Sequence, residues 1–252
     1  MKISIGSDAA FCFGLIFARV GAVMVAMPQM LGVGIPLKLR LLLAMLLAGA
    51  LMAHATAALP TFNGLIPIAV SVGRELAIGA SLAFVTALVV GAVLMVGDLF
   101  GIGMELNSGG ILRGTALTPN VLADGLSTLA GLIFFIGGFH RILLVALARS
   151  LEVMPLGVLT LPQVTTMIAA SGRLFVIALD LALPLMVPVL IITVAEGVIV
   201  RLVPQINVLV AAPAAIVLAG LVLLGLDSLG LVWGITRAWS SMMTLALGLL
   251  NG

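Results

Sequence analysis

From Leu76 to Val96 the chain carries no charged side chain. Wound as a helix at 1.5 Å per residue, that stretch is about 31 Å long, the thickness of a bilayer's hydrocarbon core. No other feature constrains the fold as strongly, and the pattern recurs along the chain. Ala9–Met27 is interrupted only by Arg19, and Leu41–Leu59 has no charge at all. Further apolar runs follow at Leu126–Leu147, Leu174–Val203, Val208–Leu226 and Leu229–Leu250. Charged residues make up 8% of the chain and hydrophobic ones 63%, whereas soluble domains carry about 25% charge. An ordinary soluble domain is excluded. The expected fold is an all-α integral membrane protein of about six long apolar helices or helical hairpins, some bent by proline, around a glycine-rich central loop.

Several function classes fall away on the same grounds. A net charge of +2 without a basic run gives no footprint for nucleic acid. Cys12 is the only cysteine, which rules out an internal disulfide and a cysteine-rich metal site. The first run is too long for a secretory signal and lacks a small-residue cleavage site, so no signal peptide is expected. Membrane orientation is not readable. Lys38/Arg40 and Arg149/Arg173 fall on opposite sides in simple alternation, so positive charge favours neither side. Tyrosine is absent and the tryptophans are Trp233 and Trp239 alone, so the aromatic belts of typical spanning helices are missing too.

The central stretch Gly97–Asp124 separates the apolar runs and reads as an ordered loop. Gly109, Gly110 and Gly114 oppose a continuous helix, since each glycine costs about 1 kcal/mol against alanine. Ile111, Leu112 and Leu117 oppose a solvated tether. Gly97 and Gly101 form a small-xxx-small step that lets a second backbone come close. Farther along, Pro184 and Pro188 free the carbonyls of Asp180 and Pro184, so the fifth run should bend there.

Charges inside apolar runs mark polar cavities, ion paths or subunit contacts. They are Arg19, Arg74, Glu75, Asp180, Glu196 and Arg201. Arg74 and Glu75 are sequence neighbours about 100° apart on a helix, so each should meet another helix or another subunit rather than its neighbour. Asp180, Glu196 and Arg201 also admit a second reading, as the relay of an ion- or proton-coupled transporter. Catalytic motifs are lacking: there is no GxxxxGK phosphate loop and no GxSxG elbow. His54 and His140 have no carboxylate or cysteine at ligand spacing and read as structural. No enzyme, metal or cofactor is expected. Met24, Met27 and Met30, with Met95 and Met104 beside the central loop, are flexible fillers of irregular gaps.

Together, several stretches resemble the FliR family of flagellar type III export-gate proteins. They are ARVGAVMVAMP (18–28), IPLKLRL (35–41), RELAIG (74–79), GDLFGIGM (97–104), GGFHRILLVALARSLEVMPLG (137–157) and ALDLALPLMVPVLIITVAEGVIVRLVPQINVLV (178–210). The last includes an R-x-x-P-Q-x-N signature made by Arg201, Pro204, Gln205 and Asn207. The virulence-secretion counterpart of the family is similar. The resemblance implies a non-catalytic subunit of a protein-conducting gate in the bacterial inner membrane, within a flagellar basal body or secretion base. Its implied partners are FliP- and FliQ-type subunits, further export proteins such as FlhA and FlhB, exported polypeptides and lipid. It implies a FliP-like part over residues 1–165, with a central loop at 101–119, and a FliQ-like hairpin with a C-terminal apolar segment over 166–252. It also implies a pore plug, here Met104–Thr118, formed by Met104, Leu106, Ser108, Gly109, Gly110, Ile111, Leu112 and Leu117. This loop departs from members that carry bulky aromatics there, so its seal would be backbone and aliphatic. Arg19, Arg74, Glu75, Asp180, Glu196, Arg201, Pro204, Gln205 and Asn207 are then the polar residues of assembly.

Overall fold

A computed structural model describes residues 5–27, 36–54, 64–106, 120–156, 164–202 and 208–249. Every regular element among them is helical. In chain order the α-helices are α1 Ile5–Ala26, α2 Leu37–Leu51, α3 Leu65–Gly103, α4 Val121–Ile136, α5 Phe139–Val153, α6 Val164–Leu202, α7 Val208–Leu226 and α8 Ser228–Gly248; a 3-10 turn, Met52–His54, extends α2. The all-α membrane architecture expected from the apolar runs is present. Three helices are long and apolar enough to cross a membrane, within Ala9–Ala26, Leu65–Gly103 and Val164–Ile199, and counting two bent pairs as spans raises this to 5 among the described residues.

The elements depart from the runs in informative ways. Of the apolar run from Leu41, the described residues form α2 to Leu51 and the 3-10 turn to His54. The fourth run is broken into α4 and α5, bent by 67°. Gly138 supplies the break: it sits at φ +73° in the cap position of α5, a left-handed conformation that costs other residues. A second bend, of 62°, separates α7 from α8 at Asp227. Helix α3 runs through Gly97 and Gly101 to Gly103, so the first part of the expected central loop is helical. Helix α6 is continuous across Pro184 and Pro188.

The chain folds into two compact units that interleave along the sequence: 1–88 with 134–172 and 239–252, and 89–133 with 173–238. In the first unit α1 packs on α2, which buries only Ala44 and Ala48. Trp239 is buried there between Phe134 and Phe139, at ring distances of 4.7 and 6.2 Å. In the second unit, α6 buries Ala178, Leu181, Ala182, Leu185 and Val189 along one face. Helices α3 and α6 each have 39 residues, about 58 Å, but they differ in setting. Of the apolar window of α3, 67% is buried, against 28% for α6. Helix α3 is a core helix; α6 presents most of its surface outward.

Candidate functional site

Among the described residues, Arg19 is the largest polar side chain withdrawn from solvent, at 0% exposure. It projects from the side of α1 that also buries Leu15, Ile16, Val20 and Val23. Its Nε donates to Glu75 Oε2 at 2.6 Å, Nη1 to the Ser150 carbonyl at 2.7 Å and to Ser150 Oγ at 3.1 Å, and Nη2 to the Met154 carbonyl at 3.0 Å. Arg74 completes the cluster, donating from Nη1 to Glu75 Oε1 at 3.1 Å and from Nη2 to the Pro155 carbonyl at 3.1 Å. Glu75 thus accepts from two guanidinium groups while itself 0% exposed. The two arginines outnumber the carboxylate, and the carbonyl end of α5 offsets the excess. Free carbonyls at a helix C-terminus carry partial negative charge, and guanidinium donors satisfy them.

A glycine makes the geometry possible. Gly79 lies one turn beyond Glu75 on α3, and a Cβ there would collide with the Arg19 carbonyl and with Ala22. The two backbones therefore touch where their charges meet, as small residues allow at membrane helix contacts. Chemically, the cluster is built of ion pairs and hydrogen bonds among the chain's own groups. It ties α1, α3 and the end of α5 together, because removing one member of a buried pair costs about 3–5 kcal/mol. Arg74 and Glu75 do pair with each other, contrary to the expectation for helix neighbours. The long arginine stem carries the guanidinium round to the carboxylate, and both side chains also reach other elements.

The second unit fixes both ends of the central segment. At the end of α3, Glu105 N–H donates to the Ile102 carbonyl at 3.0 Å and Leu106 N–H to the Gly101 carbonyl at 3.1 Å. Glu105 has φ +56°. This is the paired-bond Schellman ending of a helix, with glutamate where glycine is usual. Met104, fully buried, packs against Gly220 of α7 so closely that a Cβ on Gly220 would overlap its thioether. On the return, Asn120 caps α4 by accepting from Leu122 N–H at 3.1 Å, a favoured role for asparagine. Its Nδ2 donates to the Gly97 carbonyl at 2.8 Å and to Asp98 Oδ1 at 3.2 Å. A Cβ on Gly97 would strike Ala123, and one on Gly101 would strike Asn120. The close approach expected of these glycines is made by the start of α4.

Compared with family models, residues 10–242 match the one for bacterial export proteins, family 1. The chain belongs to that family. It is a FliR-type membrane component of bacterial protein export. Comparison with curated proteins found no match.

In this export-family chain, the residues singled out from sequence fall in three places. Arg19, Arg74 and Glu75 converge in the first unit. Asp180 and Arg201 are exposed on α6, and Glu196 is half-buried on it. Asp180 and Glu196 stand about 24 Å apart along one helix and point to opposite sides of it, so α6 does not bring them together as a relay. Met104 is buried and Leu106 is exposed. Ser108, Gly109, Gly110, Ile111, Leu112 and Leu117 lie outside the described residues, as do Pro204, Gln205 and Asn207. Among the described residues no three His, Cys, Asp or Glu side chains gather to hold a metal. His140 lies 5.6 Å from Phe135 and 6.4 Å from Phe134 between ring centroids, its Nδ1 buried without a hydrogen bond among the described residues. Sequence reading missed Ser150, Asn120, Gly79 and Gly220. Asn120, a capping residue directly ahead of an apolar helical run, could have been found; the others serve contacts distant in sequence and leave no local signal.

Proposed function

We propose that the chain is a non-catalytic subunit of a type III export gate of the flagellar kind. With FliP- and FliQ-type subunits it forms the channel through which unfolded polypeptides leave across the bacterial inner membrane. FlhA- and FlhB-type proteins and lipid are its further neighbours. Residues 1–165 stand in for a FliP-like subunit and 166–252 for a FliQ-like one. The observation that carries this reading is the family match across residues 10–242, which takes in nearly every described helix. The buried charge cluster supports it, because such a tie makes a rigid scaffold rather than a moving carrier. In this reading Met104–Thr118 is the plug of the resting pore. Met104, its first residue, and Asn120, two residues beyond its last, are both buried.

Purification of the chain in mild detergent from cells that also make its partners tests the assignment. A heteromeric complex containing FliP- and FliQ-type chains is expected. A well-behaved monodisperse monomer, or a homo-oligomer with ion-transport activity, would overturn it.

A further inference from the structure

On α6 a seven-residue repeat lies wholly on the exposed side. Arg173, Asp180, Val187, Val194 and Arg201 recur at that spacing and all are exposed. Val176, Leu183 and Leu190, three residues after successive members, are exposed as well. This is the spacing of a helix-pairing seam, in which two apolar positions per heptad face a partner and a polar residue at one of them fixes register. The opposite face of α6 is already used inside the second unit, where Leu181 meets Gly234 and both Met186 and Val189 meet Gly103. Within the second unit, the described residues therefore leave the seam uncovered.

Charge decides what covers it. Asp180 lies at the middle of the apolar length Val164–Ile199, and no described residue bonds to it. Lipid offers no cation at that depth, and a carboxylate facing hydrocarbon is strongly disfavoured. A second copy of the chain fits no better. Pairing in parallel register sets Arg173 on Arg173 and Asp180 on Asp180. Antiparallel pairing about Val187 sets Arg173 on Arg201 and leaves Asp180 opposite Val194.

We infer that this seam docks a membrane helix of a different chain, one whose apolar stripe carries a lysine or arginine opposite Asp180. Arg173 and Arg201, about 10 and 31 Å from Asp180 along the helix, meet acidic side chains or free carbonyls toward that helix's ends. The inference rests on the gate reading only for the expectation that the partner is another export subunit.

Photocrosslinking in the membranes of cells making the full export apparatus tests it, with benzoylphenylalanine at Val187 or Val194. The expected result is one labelled membrane polypeptide, identified by mass spectrometry. Asp180→Arg should lower that labelling by about tenfold or more, since like charges would meet in an apolar interface. Changing a single basic residue of the labelled segment to Glu should restore it. Should Asp180→Arg fail to reach the membrane, Asp180→Asn keeps the size and should give a smaller drop. Labelling of a second copy of this chain would overturn the inference. So would labelling of no protein, together with higher membrane levels of Asp180→Leu, because the seam would then face lipid. A labelled partner that is not FliP- or FliQ-type, rescued by the charge swap, would keep the seam and remove the gate reading. A complex of export subunits whose seam probes label nothing would do the reverse.

Discussion

Glu75 is the residue on which two arginines depend. Replacing it with alanine leaves Arg19 and Arg74 facing each other in an apolar setting, which costs about 3–5 kcal/mol. Denaturant titration of the purified complex, followed by circular dichroism, should show a loss of that size for Glu75→Ala. The pair Arg19→Leu with Glu75→Leu should recover only part of it, because the Met154 carbonyl would lose its Arg19 donor and Arg74 its carboxylate, whereas the Ser150 carbonyl keeps the Met154 N–H. Glu105 presents the opposite case. At φ +56° it pays the left-handed penalty that glycine avoids, so Glu105→Gly should raise stability by about 1 kcal/mol, read as a higher melting temperature. At this scale the sequence revealed which residues matter but not what they touch. Arg19 and Glu75 stand out as charges in apolar runs, yet their contact joins positions 56 apart, and no local pattern encodes such a pairing.

Helices α4 and α5 show how a glycine can be decisive in one place and incidental in another. Gly138 is needed for its backbone angle, so Gly138→Ala should cost about 1 kcal/mol and loosen the bend, measured as faster amide exchange at the start of α5. Gly97 and Gly101 are needed for their lack of a side chain, and α3 passes through both without ending. That distinction is why the sequence suggested a loop where the chain is helical. A glycine that ends a helix and one that admits a neighbour read alike until the neighbour is known, and packing outweighs intrinsic propensity. The segment beyond α3 carries the proposed plug, with Ile111, Leu112 and Leu117 each contributing about 1.5–3 kcal/mol if fully buried. Deleting residues 108–115 should leave the complex assembled but conducting ions in a planar bilayer. An assembled complex as tight as the parent would make the segment a connector.

Across the whole molecule, neither compact unit is a continuous piece of chain. The first is completed by residues 239–252, which bring Trp239 onto Phe134 and Phe139. A chain cut after residue 238 should therefore lose the first unit's protease resistance, although Arg19, Glu75 and Ser150 are all retained; limited proteolysis in detergent would show it. The apolar runs made a helical membrane fold legible, but not this interleaving, since hydropathy records how greasy a segment is and not which segment it joins. The interleaving sets a timetable for biosynthesis. While the ribosome is still making α6 and α7, α4 and α5 are already made, and Phe134 and Phe139 still lack Trp239. Every newly made copy passes through an interval with its first unit unfinished, open to quality-control proteases and to premature association. The pace at which the last helix emerges, as much as the final stability, would govern how many copies survive to be used.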